Sequence, residues 1–349
     1  MASDYQPVFE LTRGGIQESI HFGAAVLVDS HGNILSSVGD PQIVTFMRSS
    51  SKPFQALPFI EADGDRFFNL NSRELAILCG SHDGSDEHVR VVQGIQYRVG
   101  LQEGDLLCGV QPPLDEAVAD QLKLRSELPT PNRHNCSGKH TGMLAYARML
   151  GQPLENYVDL AHPVQKQILT SFAEMCDLPR SRVVVGIDGC SVPAFAVPLY
   201  NAAFAYARLC DPHFLPSARA SACRRITSAM LSELEMVAGP KRFDTRLMRV
   251  AGGRLIAKGG AEGFFSLGIF PGALGVDSPG IGVAIKVSDG DQKNRVRPAL
   301  AMEVLHQSNL LDRSQLDALA EFGPVLQLKN WRNLIVGESR PIFQLKSTG

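Results

Sequence analysis

The chain has 349 residues, 44% of them hydrophobic and 20% charged, with 34 Lys and Arg against 36 Asp and Glu for a formal charge of −2. That length is one large or two ordinary domains, and the composition is that of a globular protein. Balanced charge gives no broad attraction for phosphate backbones or anionic lipid, and no run of about 18 apolar residues offers a spanning helix, so nucleic-acid and membrane partners are not expected.

The start, MASDYQPVFELTRGG, lacks a basic flank followed by an apolar stretch, which leaves a cytoplasmic protein as the expectation. His21 to Asp29 (HFGAAVLVD) reads as a strand, Ser30-His31-Gly32-Asn33 as a turn, and Ile34 to Val38 as the returning strand of an antiparallel hairpin. The middle is helical in pattern. Glu74 to Leu78, Glu87 to Tyr97, Asp115 to Leu124, Gly142 to Leu150, Val164 to Cys176 and Ala218 to Met236 carry apolar residues three and four apart. Val183 to Ile187 reads as a short buried strand. From Arg254 onward strand character returns in LIA, FFSLGIF and IGVAIKV. Asp312 with Gln315 forms a capping-box pattern that predicts a helix to Glu321, and VLQLKN and LIVG are late strand or loop segments. The order of hairpin, helices and hairpin predicts an α+β class: one body over residues 1–349, an antiparallel sheet from both chain ends, and residues about 50–250 mostly helical. Trp331, the sole tryptophan, is expected to pack, and the Arg224-Arg225 pair to lie solvated on a helix.

The familiar HExxH, P-loop, GxGxxG, GxSxG and CxxC signatures are absent. The densest chemical signal is Arg48-Ser49-Ser50-Ser51-Lys52-Pro53. If a helix begins near Ser50, Ser49 and Lys52 share a face, and a lysine of depressed pKa can take a serine proton; alone, the cluster reads more readily as helix caps. Gly80-Ser81-His82-Asp83-Gly84 puts a second serine between glycines at the end of an apolar helix. Lys258 stands on a strand edge beside a glycine-rich corner. SxxK, a middle serine and a late strand lysine follow the order of parts in penicillin-binding proteins and class A β-lactamases.

Seven cysteines (Cys79, Cys108, Cys136, Cys176, Cys190, Cys210, Cys223) in a chain without an export signal argue against a disulfide framework. Cys136 in Asn135-Cys136-Ser137-Gly138-Lys139-His140 and Cys190 in Asp188-Gly189-Cys190 lie in polar, glycine-flanked settings. They fit either soft zinc ligands, joined by His140, Asp188 or a neutral Lys139, or two reduced thiols.

Together, RSSSKPFQ, CGSHDGSDEHV, NCSGKHTGML, DGCSVPAFAVPL and AKGGAEGF resemble the class 3 L-asparaginases of the Rhizobium etli type, in order from about Phe9 to Val287. The resemblance implies a fold similar to serine β-lactamases and glutaminases and hydrolysis of L-asparagine to aspartate and ammonia. It places two Ser-Lys tandems on Ser49 with Lys52 and Ser81 with Lys258, a zinc site on Cys136, Lys139 and Cys190, and substrate-side roles on Arg48, His140 and Asp188. It also implies a homodimer. Two departures stand out: Gly259 where threonine is common after the late lysine, and Ser191 where glycine is frequent. Glutaminase or β-lactamase-like serine acyl transfer are the alternative activities.

Overall fold

The computed structural model describes residues 4–347. They fall into two compact units, one of residues 4–50, 197–211 and 246–347, the other of residues 51–196 and 212–245.

The first unit is built on a nine-stranded sheet. Its strands run in the spatial order Leu326–Lys329, Ile335–Pro341, Gln6–Arg13, Ile16–Asp29, Ile281–Val287, Phe264–Ile269, Leu255–Gly259. Ile34–Val38 and Lys346–Ser347 form a branch beside Ile16–Asp29. The pairings are antiparallel, with Val26 opposite Ala284 and Lys258 opposite Ser266. The sheet therefore does join the two chain ends, as the alternation at each end predicts. Phe264–Ile269 is buried at every position and Ile281–Val287 at all but Lys286, so both faces must be covered. Helices Leu199–Cys210 and Val296–Gln307 both pack on Ile281–Val287. The first comes so close that a Cβ on Gly282 would lie 1.7 Å from the Ala203 carbonyl oxygen.

The second unit is mostly helical. Helix Lys52–Glu61 begins with Pro53, whose missing N–H costs nothing in a first turn, and buries every residue from Lys52 to Ile60. An all-buried helix of this kind must be wrapped, and Ser137–Met149, Pro163–Met175 and Ser217–Ser232 pack against it. Ser72–Leu78 opens with a reciprocal capping box between Asn71 and Glu74. Ser137–Met149 lies against it through glycines: a Cβ on Gly138 would stand 2.4 Å from the Ile77 carbonyl oxygen, and one on Gly142 3.3 Å from Leu78. Gly138 thus lets this helix approach the Ile77 backbone, and Gly142 leaves room for the Leu78 side chain.

Several expectations are corrected. Val184–Ile187 is a strand but not a buried one, with Val184 and Ile187 53% and 85% exposed. The capping box at Asp312 opens a helix that stops at Asp317, not Glu321. The Ala218 to Met236 helix breaks at Glu233 into Ser217–Ser232 and Leu234–Val237. Trp331 is fully exposed. Arg225 is tied down by Asp63 and Asp65. All seven cysteines are buried and none forms a disulfide, in keeping with the sequence expectation. Among the described residues no helix is long and apolar enough to cross a membrane.

Candidate active site

In the second unit, Lys52 anchors the candidate chemistry. It is fully buried at the start of its helix, and its Nζ donates to the carbonyl oxygens of Gly80 (2.6 Å) and Asn135 (2.9 Å). Those two acceptors stand immediately before Ser81 and Cys136, so the lysine ties the SHDG loop to the NCSGK turn. The loop is fixed from its other side, where Ser81 N–H donates to the Val237 carbonyl at 2.7 Å. A Cβ on Gly80 would meet the Met236 carbonyl oxygen at 2.4 Å, which accounts for glycine there. Burial pushes the Lys52 ammonium below the usual lysine value; Cys136 pulls it back and Lys139 presses it further down.

Cys136 immediately precedes helix Ser137–Met149, and Lys139 lies in the first turn of that helix. Cys190 occupies the turn of the hairpin between Val184–Ile187 and Pro193–Pro198, closed by Asp188 N–H on Val192 O and Ser191 N–H on Asp188 O, both 2.9 Å. Ser191 holds φ at 75°, in the left-handed region that favours glycine. Lys139 Nζ donates to Cys190 Sγ at 3.0 Å. The two thiols hydrogen-bond each other, and that bond holds Cys136 well below the usual thiol range despite burial, with Lys139 and Lys52 adding to the effect. The same bond, with burial, pushes Cys190 up. Burial works against the Lys139 charge, but Cys136, Cys190 and Asp188 hold it above the ordinary lysine range.

Among the described residues no three His, Cys, Asp or Glu side chains gather as a metal site. Two sulfurs and an amine do converge, and that donor set fits zinc once the amine and thiols have lost their protons.

His82 and His88, six residues apart, stack with ring centroids 5.0 Å apart. Ser137 Oγ donates to Asn132 O, so its bond with His82 Nε2 (2.9 Å) takes the imidazole proton. This fastens the SHDG loop to the start of the Cys136 helix. His140 lies fully buried beside Tyr157.

In the first unit, Arg48 and Ser49 are half-buried in the 3-10 turn Arg48–Ser51, with Arg48 at φ 51°. Ser50 Oγ donates to the Lys258 carbonyl at 2.7 Å, and Tyr206 Oη donates to the Ser50 carbonyl at 2.7 Å. The serine turn is thus pinned to the strand that carries Lys258. That strand, Leu255–Gly259, is the edge of its sheet, and buried Lys258 Nζ reaches the Gly259 carbonyl at 2.9 Å.

A family model described as L-asparaginase II matches residues 9–341. The chain belongs to the L-asparaginase II family. It is accordingly an amidohydrolase, and the five motifs that carry the resemblance all fall within the matched residues. A search of curated protein sequences returns no match. Among solved structures, a Bacillus subtilis glutaminase in covalent complex with 5-oxo-L-norleucine is similar at 11% identity and TM-score 0.39, over 82% of this chain and 87% of that one. A probable glutaminase of Bacillus subtilis gives 13% identity and TM-score 0.40, over 82% and 88%. A third, described as Mglu, gives 14% identity and TM-score 0.34, over 83% and 68%.

What sequence reasoning missed in this L-asparaginase II family member is the part played by backbone. Gly80 O and Asn135 O hold Lys52, and no residue type announces a carbonyl acceptor. Tyr157 was missed as well, since it sits in an irregular segment between helices where no periodic signal marks it.

Proposed function

We propose that the chain hydrolyses the side-chain amide of L-asparagine to L-aspartate and ammonia. Family membership supports the amide class, and the observation that carries the mechanism is the burial of Lys52 with its ammonium disfavoured. Amide hydrolysis needs a nucleophile, a proton carrier and stabilisation of the tetrahedral oxyanion. An ordinary lysine, protonated near neutrality, cannot take a serine proton; a desolvated one can.

In this reading Ser49 attacks the asparagine amide carbon as its proton passes to Lys52. The tetrahedral intermediate collapses to an acyl-enzyme ester as ammonia leaves, carrying the proton that Lys52 took, relayed through Ser81 and Lys258. Water then hydrolyses the ester, with Lys52 again taking the proton, and aspartate is released. Arg48 and Asp188 supply charges that orient the zwitterionic substrate. Cys136, Lys139 and Cys190 would hold a zinc ion, whose charge would position the amino-acid end of the substrate.

Ammonia release from L-asparagine and L-glutamine across pH tests the reading. Asparagine turnover is expected to exceed glutamine turnover, and Ser49→Ala and Ser81→Ala to lower kcat by about a thousandfold or more. Near-normal turnover in both variants would sink the tandem mechanism, and glutamine preference would reassign the substrate.

A further inference from the structure

His140 leaves one of its nitrogens unused within the fold. Its Nδ1 lies 2.6 Å from Tyr157 Oη, and the two buried rings meet edge to face at 5.6 Å. Tyr157 Oη also receives the Leu107 backbone N–H at 2.9 Å. A backbone amide can only donate, so the phenol oxygen is the acceptor in that bond, and its single proton remains for His140. Nδ1 then accepts, and the imidazole proton belongs on Nε2. That Nε2 is buried with no hydrogen-bond partner. A buried N–H without an acceptor is costly and calls for one.

The geometry points to Tyr157 as a positioning residue: oriented by the Leu107 amide, its hydroxyl fixes His140 as the Nε2–H tautomer and so presents that N–H to a carboxylate oxygen of the amino-acid substrate. The ligand half of this inference rests on the asparagine reading above, whereas the tautomer stands on the protein alone.

Imidazole 15N spectra of the labelled protein test the tautomer directly. The His140 signals, assigned by their loss in His140→Gln, are expected to show Nε2 protonated in the wild type and a mixture in Tyr157→Phe, with circular dichroism unchanged. Kinetically, Tyr157→Phe should raise KM for L-asparagine about tenfold with kcat nearly unchanged. The rise should shrink for L-asparaginamide, which lacks the carboxylate. His140→Gln, whose amide places a donor near Nε2, should bind asparagine better than His140→Asn. A wild-type His140 protonated on Nδ1, or a KM rise equal for both substrates, overturns the proposal. If the wild type releases no ammonia from asparagine, the functional reading fails while the 15N result still decides the role of Tyr157. If Tyr157→Phe does not fold, the wild-type spectrum and the Gln and Asn variants decide it.

Discussion

Lys139 Nζ and Cys190 Sγ, 51 residues apart in sequence, are held 3.0 Å from each other inside the helical unit. The Cys190 thiol and the Lys139 charge favour the thiolate at Cys136, whereas Cys190 is held toward its thiol and Lys139 toward its ammonium. Ligation requires thiolates and a neutral amine, so loading this set with zinc expels the Cys190 and Lys139 protons, about two per ion. Calorimetric titration with zinc in buffers of different ionisation enthalpy should read that number. Affinity should rise with pH, since both groups are protonated at neutrality and each proton lost favours binding. Proton release near zero would remove Lys139 from the ligand set. Cys136→Ser and Cys190→Ser should each weaken zinc about 100-fold or more.

Activity should follow the deprotonation of Lys52. Burial lowers its pKa, so the acid limb of kcat/KM should fall below the ordinary lysine value of 10.5, with rate rising as pH rises through it. Cys136 is the main group pulling that pKa up. Zinc would neutralise the thiolate, and the limb should then move to still lower pH; chelation should move it back up. Lys52→Met should abolish the limb and lower kcat about a thousandfold or more. A limb identical in Lys52→Met and wild type would assign the titration to another group.

Ser191 carries a Cβ in a left-handed turn beside a proposed metal ligand. Left-handed backbone costs a non-glycine residue about 1–2 kcal/mol, partly offset by the larger entropy glycine loses on folding. Ser191→Gly should therefore stabilise the protein by up to about 1 kcal/mol, read as a small increase in Tm. Ser191→Val should destabilise it. A lower Tm for the glycine variant would mean that the serine side chain makes a contact that outweighs the strain.

Gly138→Ala should act on fold and site together. Its Cβ would fall 2.4 Å from the Ile77 carbonyl oxygen, too close to a backbone atom for any rotamer to relieve. Overpacking of this kind costs about 1–3 kcal/mol, and here the helix that moves carries Lys139 and His140. Chemical denaturation should show the loss, and zinc affinity should fall with it. Unchanged affinity would mean that the shift is absorbed by Ser72–Leu78 instead.

The chemistry was easier to read in the sequence than the architecture around it. Cys136 and Cys190 stand out as cysteines in polar, glycine-flanked segments, whereas the choice of Lys139 beside them rests on the family resemblance; in the structure Lys139 meets Cys190. The hairpin Ile16–Asp29 with Ile34–Val38 was legible from its turn and apolar run, and the strands after Arg254 from theirs. Helices Leu199–Cys210 and Val296–Gln307 were not. Both bury residues around most of their circumference, so neither shows the one-sided stripe that marks a surface helix. Val184–Ile187 misled in the opposite direction, since apolar residues on a short strand need not be covered. Trp331 likewise stands in the open although aromatic size favours burial.

The contact of Ser137–Met149 with Ser72–Leu78 through Gly138 brings one main chain against another, and main chain has no rotamers to vary. The spacing between the helix bearing Lys139 and the helix that leads into Gly80 is thereby set as by a machined shim. Asparagine and glutamine differ in length by a single methylene, worth about 1–3 kcal/mol in a well-fitted pocket. Such a margin survives only where the walls do not breathe by the width of that methylene.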